Sequence, residues 1–274
     1  MGLLNRDVSL LIQLSKSHVF PVRRILTLGR LKLRLSKRFM SILSNTYPSF
    51  ISSGEMYAEN LLSLIFDGAE VVTLDFSNYE GCSFVHDLNE PLVCDDKFDL
   101  VLDGGTLEHV FNIGIAMRSV NGLLNSNGIL FISSMCNNHC GHGLYQFSID
   151  FFRSFSNYFG YVDNKVIVSP SLFPGQELFQ LNFGFEWKID SSQNSRAVLH
   201  TFLPYGINFI GRKPVSVSNA DGWPIQSDYK SQGCNSGDRS GSKFLARSAL
   251  ITGLRQYLKR FILFNKNVRF VKFF

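Results

Sequence analysis

The sequence predicts an α/β chain with a doubly wound, mostly parallel sheet. Three observations predict it. Short β-rich runs alternate with helix-patterned segments, three successive runs end in aspartate, and Gly128–Ser134 (GILFISS) is a continuous apolar run of the kind buried on both faces of a parallel sheet. No internal repeat competes with this reading.

The elements follow in order. Arg24–Gly29 (RILTLG) is a β-rich run stopped by glycine and reads as the first strand. Ser52 with Glu55 three residues later forms a capping-box pattern, so the first helix is expected over Met56–Phe66, with Gly68 as its stop. Glu70–Asp75 (EVVTLD), Ser83–Asp87 (SFVHD) and Phe98–Asp103 (FDLVLD) read as the second, third and fourth strands. A helix is expected over Asn112–Leu124, and Ser148 is placed to cap another from Ile149 to Phe159. Val166–Val168 and Gly206–Gly211 (GINFIG) supply further strands.

Composition sets the outer limits. At 274 residues there is room for one large α/β domain and an appendage. Hydrophobic residues at 45% and charged residues at 18% are enough for a real core and argue against a chain disordered throughout. No run reaches the ~18 apolar residues needed to cross a bilayer, and Met1–Phe20 lacks both a charged head cluster and a small-residue cleavage site, so a cytoplasmic location is expected. Five cysteines, an odd number in a large chain, read as free thiols.

The domain is expected to span residues 1–213. From 214 to 242 the composition turns to Ser, Gly, Asn and Asp, which reads as a flexible linker. Residues 243–274 form a basic amphipathic tail, with a basic C-terminal helix over Phe244–Phe264 and an alternating end, VRFVKFF. The net charge of +5 is gathered there: no acidic residue follows Asp238, while Lys243, Arg247, Arg255, Lys259, Arg260, Lys266, Arg269 and Lys272 do. A solvated helix face is the default reading of this tail, followed by peripheral contact with an anionic membrane. Nucleic acid ranks last and is not expected as a partner, because the rest of the chain is not noticeably basic.

In an open parallel sheet, ligands bind beyond the carboxyl ends of the strands, where the strand order reverses. Those ends carry carboxylates here. Asp75 is placed to accept hydrogen bonds from a ribose diol, and Asp87 with Leu88 to meet an adenine. Asp103, Gly104 and Gly105 close the fourth strand, where paired glycines admit close backbone approach. A single strand-end aspartate is as readily a turn or helix cap; three in succession point to a site.

The stretch from Val71 to Val110, with VVTLDFSNYEGCSFVHDLNEPL and then FDLVLDGGTLEHV, resembles the class I S-adenosylmethionine-dependent methyltransferases, in the branch with an Asp-Gly-Gly-Thr-Leu-Glu-His segment after strand four. The run NNHCGHGLYQFSIDFF (Asn137–Phe152) is similar to the stretch after strand five in that branch, and the likeness covers about residues 22–212. It implies a Rossmann-like methyltransferase fold with S-adenosylmethionine as cofactor. Gly29 would lie against the cofactor, Asp75 would hold the ribose, Asp87 and Leu88 would meet the adenine, and Asp103 and Gly104 would line the methionine end. Members of the branch often accompany glycan-building enzymes, so a small-molecule or sugar-linked acceptor is implied.

The chain departs from the family at the first loop. Where a Gly-x-Gly-x-Gly run is usual, it reads Leu28-Gly29-Arg30-Leu31-Lys32, and Leu31–Phe50 intervenes before the first helix. Arg30 and Arg34 are within reach of a cofactor carboxylate, although solvation of a loop is the simpler role.

A sulfonium donor carries its own reactivity, so the protein has mainly to position donor and acceptor. A hydroxyl or ammonium acceptor adds the need for a base. His139 and His142 after strand five are the preferred pair, with His109 after strand four as a third candidate. Glu108 reads as a helix-start charge. No metal site is expected, because Cys136, His139, Cys140 and His142 lack a Cys-x-x-Cys pair and a second ligand pair. Two other classes remain: a non-catalytic binding or scaffolding module on the same fold, favoured by the degenerate glycine loop, and an enzyme of another nucleotide, disfavoured because no strand is followed by a P-loop or a Gly-x-Gly-x-x-Gly run.

Overall fold

The computed structural model describes residues 2–17, 21–53, 57–170, 183–188, 203–215, 222–226 and 268–272. A short strand β1 (Gly2–Leu4) leads into helix α1 (Asn5–Ser17), then β2 (Arg24–Leu28), β3 (Lys32–Arg34), α2 (Lys37–Thr46) and a 3-10 turn at Pro48–Ser53. The middle of the chain alternates: α3 (Glu59–Ile65), β4 (Glu70–Asp75), β5 (Phe84–Val85), β6 (Phe98–Gly104), α4 (Ile113–Leu123), β7 (Leu124–Asn137) and α5 (Ile149–Phe159). Strands β8 (Val162–Pro170), β9 (Phe183–Lys188), β10 (Tyr205–Arg212) and β11 (Val268–Lys272) complete it.

All but β1 and β3 join one sheet, in the order β5-β4-β2-β6-β7-β10-β8-β9-β11. Strand β2 pairs in parallel with β4 on one side and β6 on the other, and β4–β5 and β6–β7 are also parallel. Strand β10 runs antiparallel between β7 and β8. Successive strands therefore move outward from β2 in one direction, return, and move outward in the other. The order reverses between β2 and β6, which makes the carboxyl ends of those strands the switch point.

Both faces of the sheet are covered, so the strands are apolar on both sides. Leu26, Val101, Leu130, Ile132 and Phe209 pack with α4 and α5, while Ile25, Leu100, Leu102, Ile129, Phe131 and Ile210 pack with α1, α2 and α3. Aromatic residues fill the first core: Phe152 of α5 stacks on Phe209 of β10 with ring centroids 5.2 Å apart. Each such fully buried side chain contributes about 1.5–3 kcal/mol by burial.

Local signals set most boundaries. Ser148 caps α5 by accepting from the Phe151 N–H at 3.1 Å, and Gly160, in the left-handed region, ends it. The helix expected from Met56 begins instead at Glu59, without a side-chain cap. Ser52 lies in the 3-10 turn, Glu55 lies outside the described residues, and the backbone N–H of Ala58 donates to Leu31 O at 2.9 Å. The third strand pairs only through Phe84 and Val85.

The long insertion after β2 is an excursion closed at its base. Lys32 bridges Tyr57, and Ala58 N–H donates to Leu31 O. The main path thus runs from β2 through Gly29–Leu31 directly into α3. With the excursion set aside, Gly29 and Asp75 are separated by about 20 residues, the spacing of a nucleotide-binding βαβ unit.

Helix α1, unassigned in the sequence reading, lies across β7, β10 and β8. Its Asp7 accepts from Ser133 Oγ at 2.8 Å, Asn208 Nδ2 at 2.9 Å and the backbone N–H of Leu4 at 2.8 Å. Arg6 donates to Ser169 Oγ at 2.7 Å and packs over Gly206, where a Cβ would stand 2.4 Å from the guanidinium. The pair is buried, and its charge is met by these hydroxyl and amide partners.

Within the expected linker, Gly222–Gln226 is described and lies against α4 and α5. Arg118 stacks on Trp223 at 3.8 Å, and Tyr158 donates to Gly222 O at 2.8 Å. The expected helix over 244–264 lies outside the described residues. In the tail, Val268–Lys272 pairs antiparallel with β9 at the sheet edge, in keeping with the period of two in its sequence. Among the described residues, no helix is long and apolar enough to cross a membrane.

Candidate functional site at the switch point

Three loops meet at the carboxyl ends of β2, β4 and β6 and are tied together by backbone. Gly29 takes a φ of 80°, and its N–H donates to Leu74 O at 2.5 Å. That left-handed turn swings the chain out of β2 beside Asp75. Asp75 accepts from the N–H of Phe76 at 2.7 Å and of Arg30 at 3.3 Å. A carboxylate has about four acceptor sites, so Asp75 retains capacity for a diol. Phe76 follows it with 70% of its surface exposed, a ring on which a flat heterocycle can stack. Sequence reasoning did not select Phe76; the signal was an aromatic residue directly after a strand-ending acid.

Arg30 is committed elsewhere. It donates to Glu59 at 2.6 Å and to Glu80 O at 2.6 Å, and lies over Tyr57 at 4.0 Å. Glu80 is also held by Lys32 at 2.5 Å, which lowers its carboxyl pKa. The ionic cluster fixes the first loop, and Arg34 packs beside Gly2 of β1.

Asp87 forms an Asx turn, accepting from the N–H of Asn89 at 2.9 Å and its side-chain amide at 2.8 Å. Those bonds, the backbone one first, hold its pKa below the usual carboxylate range. Leu88 is buried in the α4–α5 core, so Asp87 is at the surface and Leu88 beneath it.

At the end of β6, Asp103 is fully buried and accepts from Thr106 N–H at 2.8 Å. Burial, and secondarily the Glu108 carboxylate, pushes its pKa well above the ordinary value. Thr106 Oγ1 donates to Leu28 O at 2.5 Å and links this loop to β2. Gly104 faces the other side, where a Cβ would stand 3.0 Å from Leu31 and 3.2 Å from Leu3. Those two side chains cover Gly104.

The three histidines come together on a second pair of loops. His109 and His142 have ring centroids 5.4 Å apart, and His139 and His142 6.4 Å. Burial, then His142 and Arg6, lower the His139 pKa, so its ring is neutral near neutral pH. Glu108 is fully buried, takes a hydrogen bond from Ser134 Oγ at 2.8 Å, and places Oε1 3.7 Å from His142 Nε2. Its backbone carbonyl accepts from Leu144 N–H at 2.7 Å and Tyr145 N–H at 3.1 Å. The 138–146 loop is thereby bound to the loop after β6. A separate groove of about 420 Å³ lies between α4 and α5, walled by Met117, Phe151, Phe155 and Trp223; it holds none of the strand-end carboxylates.

The strand order and the parallel pairing of β5, β4, β2, β6 and β7 define a doubly wound α/β protein with its loops gathered at the β2/β6 switch point. No protein-family model matches the chain, and no curated protein matches it. Solved structures similar to it include the N-methyltransferase NodS from Bradyrhizobium japonicum WM9 in complex with S-adenosyl-L-homocysteine, at 11% identity over 76% of this chain and 87% of that one, with a TM-score of 0.43. An S-adenosylmethionine-dependent methyltransferase from Archaeoglobus fulgidus is similar at 14% identity, 76% and 94% coverage and TM-score 0.43. The [4+2]-cyclase SpnF is similar at 11% identity, 77% and 81% coverage and TM-score 0.40.

Proposed function

We propose that this protein transfers a methyl group from S-adenosylmethionine to a small-molecule acceptor, with a sugar-linked acceptor as the first class to try. The observation that carries the reading is the junction of Gly29, Asp75 and the Asp103 loop at the switch point, with Gly29 and Asp75 at nucleotide-binding spacing once the excursion is set aside. In this reading Gly29 lies against the cofactor, Asp75 takes the ribose hydroxyls, Phe76 and Asp87 flank the adenine with Leu88 behind, and Asp103 and Gly104 line the methionine end.

The acceptor atom attacks the methyl carbon, the sulfur–carbon bond breaks, and sulfur keeps the electron pair as neutral S-adenosylhomocysteine leaves. An acceptor that carries a proton gives it up on the side of His109, His139 and His142. The resemblance in the DGGTLEHV and post-strand-five segments supports this assignment of sides.

Calorimetric titration with S-adenosylmethionine and S-adenosylhomocysteine tests the donor site. Micromolar binding is expected, and Asp75→Ala should weaken it at least tenfold, about 1.4 kcal/mol or more, without loss of the folded state. Unchanged affinity in the folded variant would remove Asp75 from the site. One observation favours a second reading: Leu31 and Leu3 fill the space over Gly104, as they would in a non-catalytic module on this fold. A folded protein that binds neither compound selects that second reading.

A further inference from the structure

Glu108 is an expensive residue to keep where it is. Its side chain is fully buried, one carboxylate oxygen is bonded to Ser134, and among the described residues the other, Oε1, has no hydrogen-bond partner. A second buried carboxylate, Asp103, stands nearby with its own unpartnered Oδ2. Buried carboxylates in this condition take up a proton or meet a cation.

Two imidazoles lie close to the Glu108 carboxylate. One donor atom each from Glu108, His109 and His142 lies within 4.8 Å of the others, and Glu108 Oε1 stands 3.7 Å from His142 Nε2, too far for a good hydrogen bond. Metal–ligand bonds of about 2.0–2.2 Å around a tetrahedral ion place neighbouring donors roughly 3.5 Å apart. The three donors are therefore close to ligating distance already, and small side-chain rotations close the rest.

The backbone keeps them there. Leu144 and Tyr145 both donate to the carbonyl of Glu108, and Gly143 sits so close that a Cβ would stand 2.9 Å from that oxygen and 3.0 Å from Glu108 Cγ. At a φ of 73° Gly143 also takes a conformation that side chains resist. The loop can bring His142 to Glu108 because it carries glycine at that position.

We propose that Glu108, His109 and His142 bind a divalent transition-metal ion, with at least one coordination position open. A two-histidine, one-carboxylate set suits Zn²⁺, Mn²⁺ or Fe²⁺ rather than Mg²⁺ or Ca²⁺. Cys136, His139, Cys140 and His142 lie in one run, whereas these three ligands come from two loops. The open position faces the side given above to the acceptor and would take an acceptor oxygen; that role rests on the methyl-transfer reading, while metal binding does not.

The test uses the full chain, dialysed against a chelator and free of donor, titrated with Zn²⁺ by calorimetry and with Co²⁺ by visible absorption. One equivalent should bind, and Glu108→Gln, His109→Ala and His142→Ala should each weaken binding at least tenfold while circular dichroism stays unchanged. Should Glu108→Gln unfold, the two exposed-side histidine variants decide. The proposal is overturned if the folded wild type takes up neither ion, or if both histidine variants bind as wild type does and Cys140→Ser abolishes uptake instead. S-adenosylmethionine binding, measured on metal-free protein, separates the two readings: donor without metal removes the metal site alone, and metal without donor removes methyl transfer alone.

Discussion

Asp7 shows how one residue can hold together elements far apart in the chain. It takes hydrogen bonds from Ser133 and Asn208 and faces Arg6, all buried. Asp7→Ala removes the buried carboxylate beside the Arg6 guanidinium and should cost about 3–5 kcal/mol. Ser133→Ala removes one neutral partner and should cost about 1 kcal/mol; urea denaturation of both variants checks the ratio. Glu80 behaves differently because it titrates. Its pKa lies below the ordinary value of 4.5, so its contribution is present above that pH and is lost as pH falls through the folded-state value. The stability gap between wild type and Glu80→Gln should shrink as the pH falls below the ordinary carboxyl value of 4.5. A constant gap would show that the Lys32 pair contributes nothing through charge. The sequence singled out Asp75, Asp87 and Asp103 as site candidates, since acids at the ends of strand-like runs carry a positional signal. It was silent on Asp7 and on the trapped state of Glu108, because partners 126 and 26 residues away leave no local pattern.

Elements with their own end signals were the legible ones. Ser148 marks the start of α5 and Gly160 its end, and Ser148→Ala should cost about 1 kcal/mol, measurable as a lower urea midpoint. Helix α3 lacks such a signal, since Leu31 supplies its first acceptor through the base of the excursion. A sequence window centred on Ser52 cannot see that contact. The closed base also makes a prediction. Replacing residues 36–53 with a short Gly-Ser linker should leave a cooperative unfolding transition, because β2 and α3 are joined without them. The midpoint should fall, as Phe39, Leu43 and Phe50 lose their place in the core. Loss of cooperativity in calorimetry would mean that the excursion is part of the main core and not an addition to it.

For the molecule as a whole, the alternating pattern of strands and helices was enough to predict a doubly wound sheet, and the carboxyl-end rule gave the expected position of a site on it. Neither could predict that β10 enters antiparallel between β7 and β8, or that α1 covers those three strands. Those pairings join segments far apart in the chain. Asn208 lies 201 residues beyond Asp7. During synthesis α1 is made well before β10, and its buried acid cannot be satisfied by Asn208 until β10 has left the ribosome. The parallel strands from β2 to β7 can assemble before then. Docking of α1 is therefore a late event in the maturation of the chain, and folding should be slow for a chain of this size because it depends on contacts of such high sequence separation.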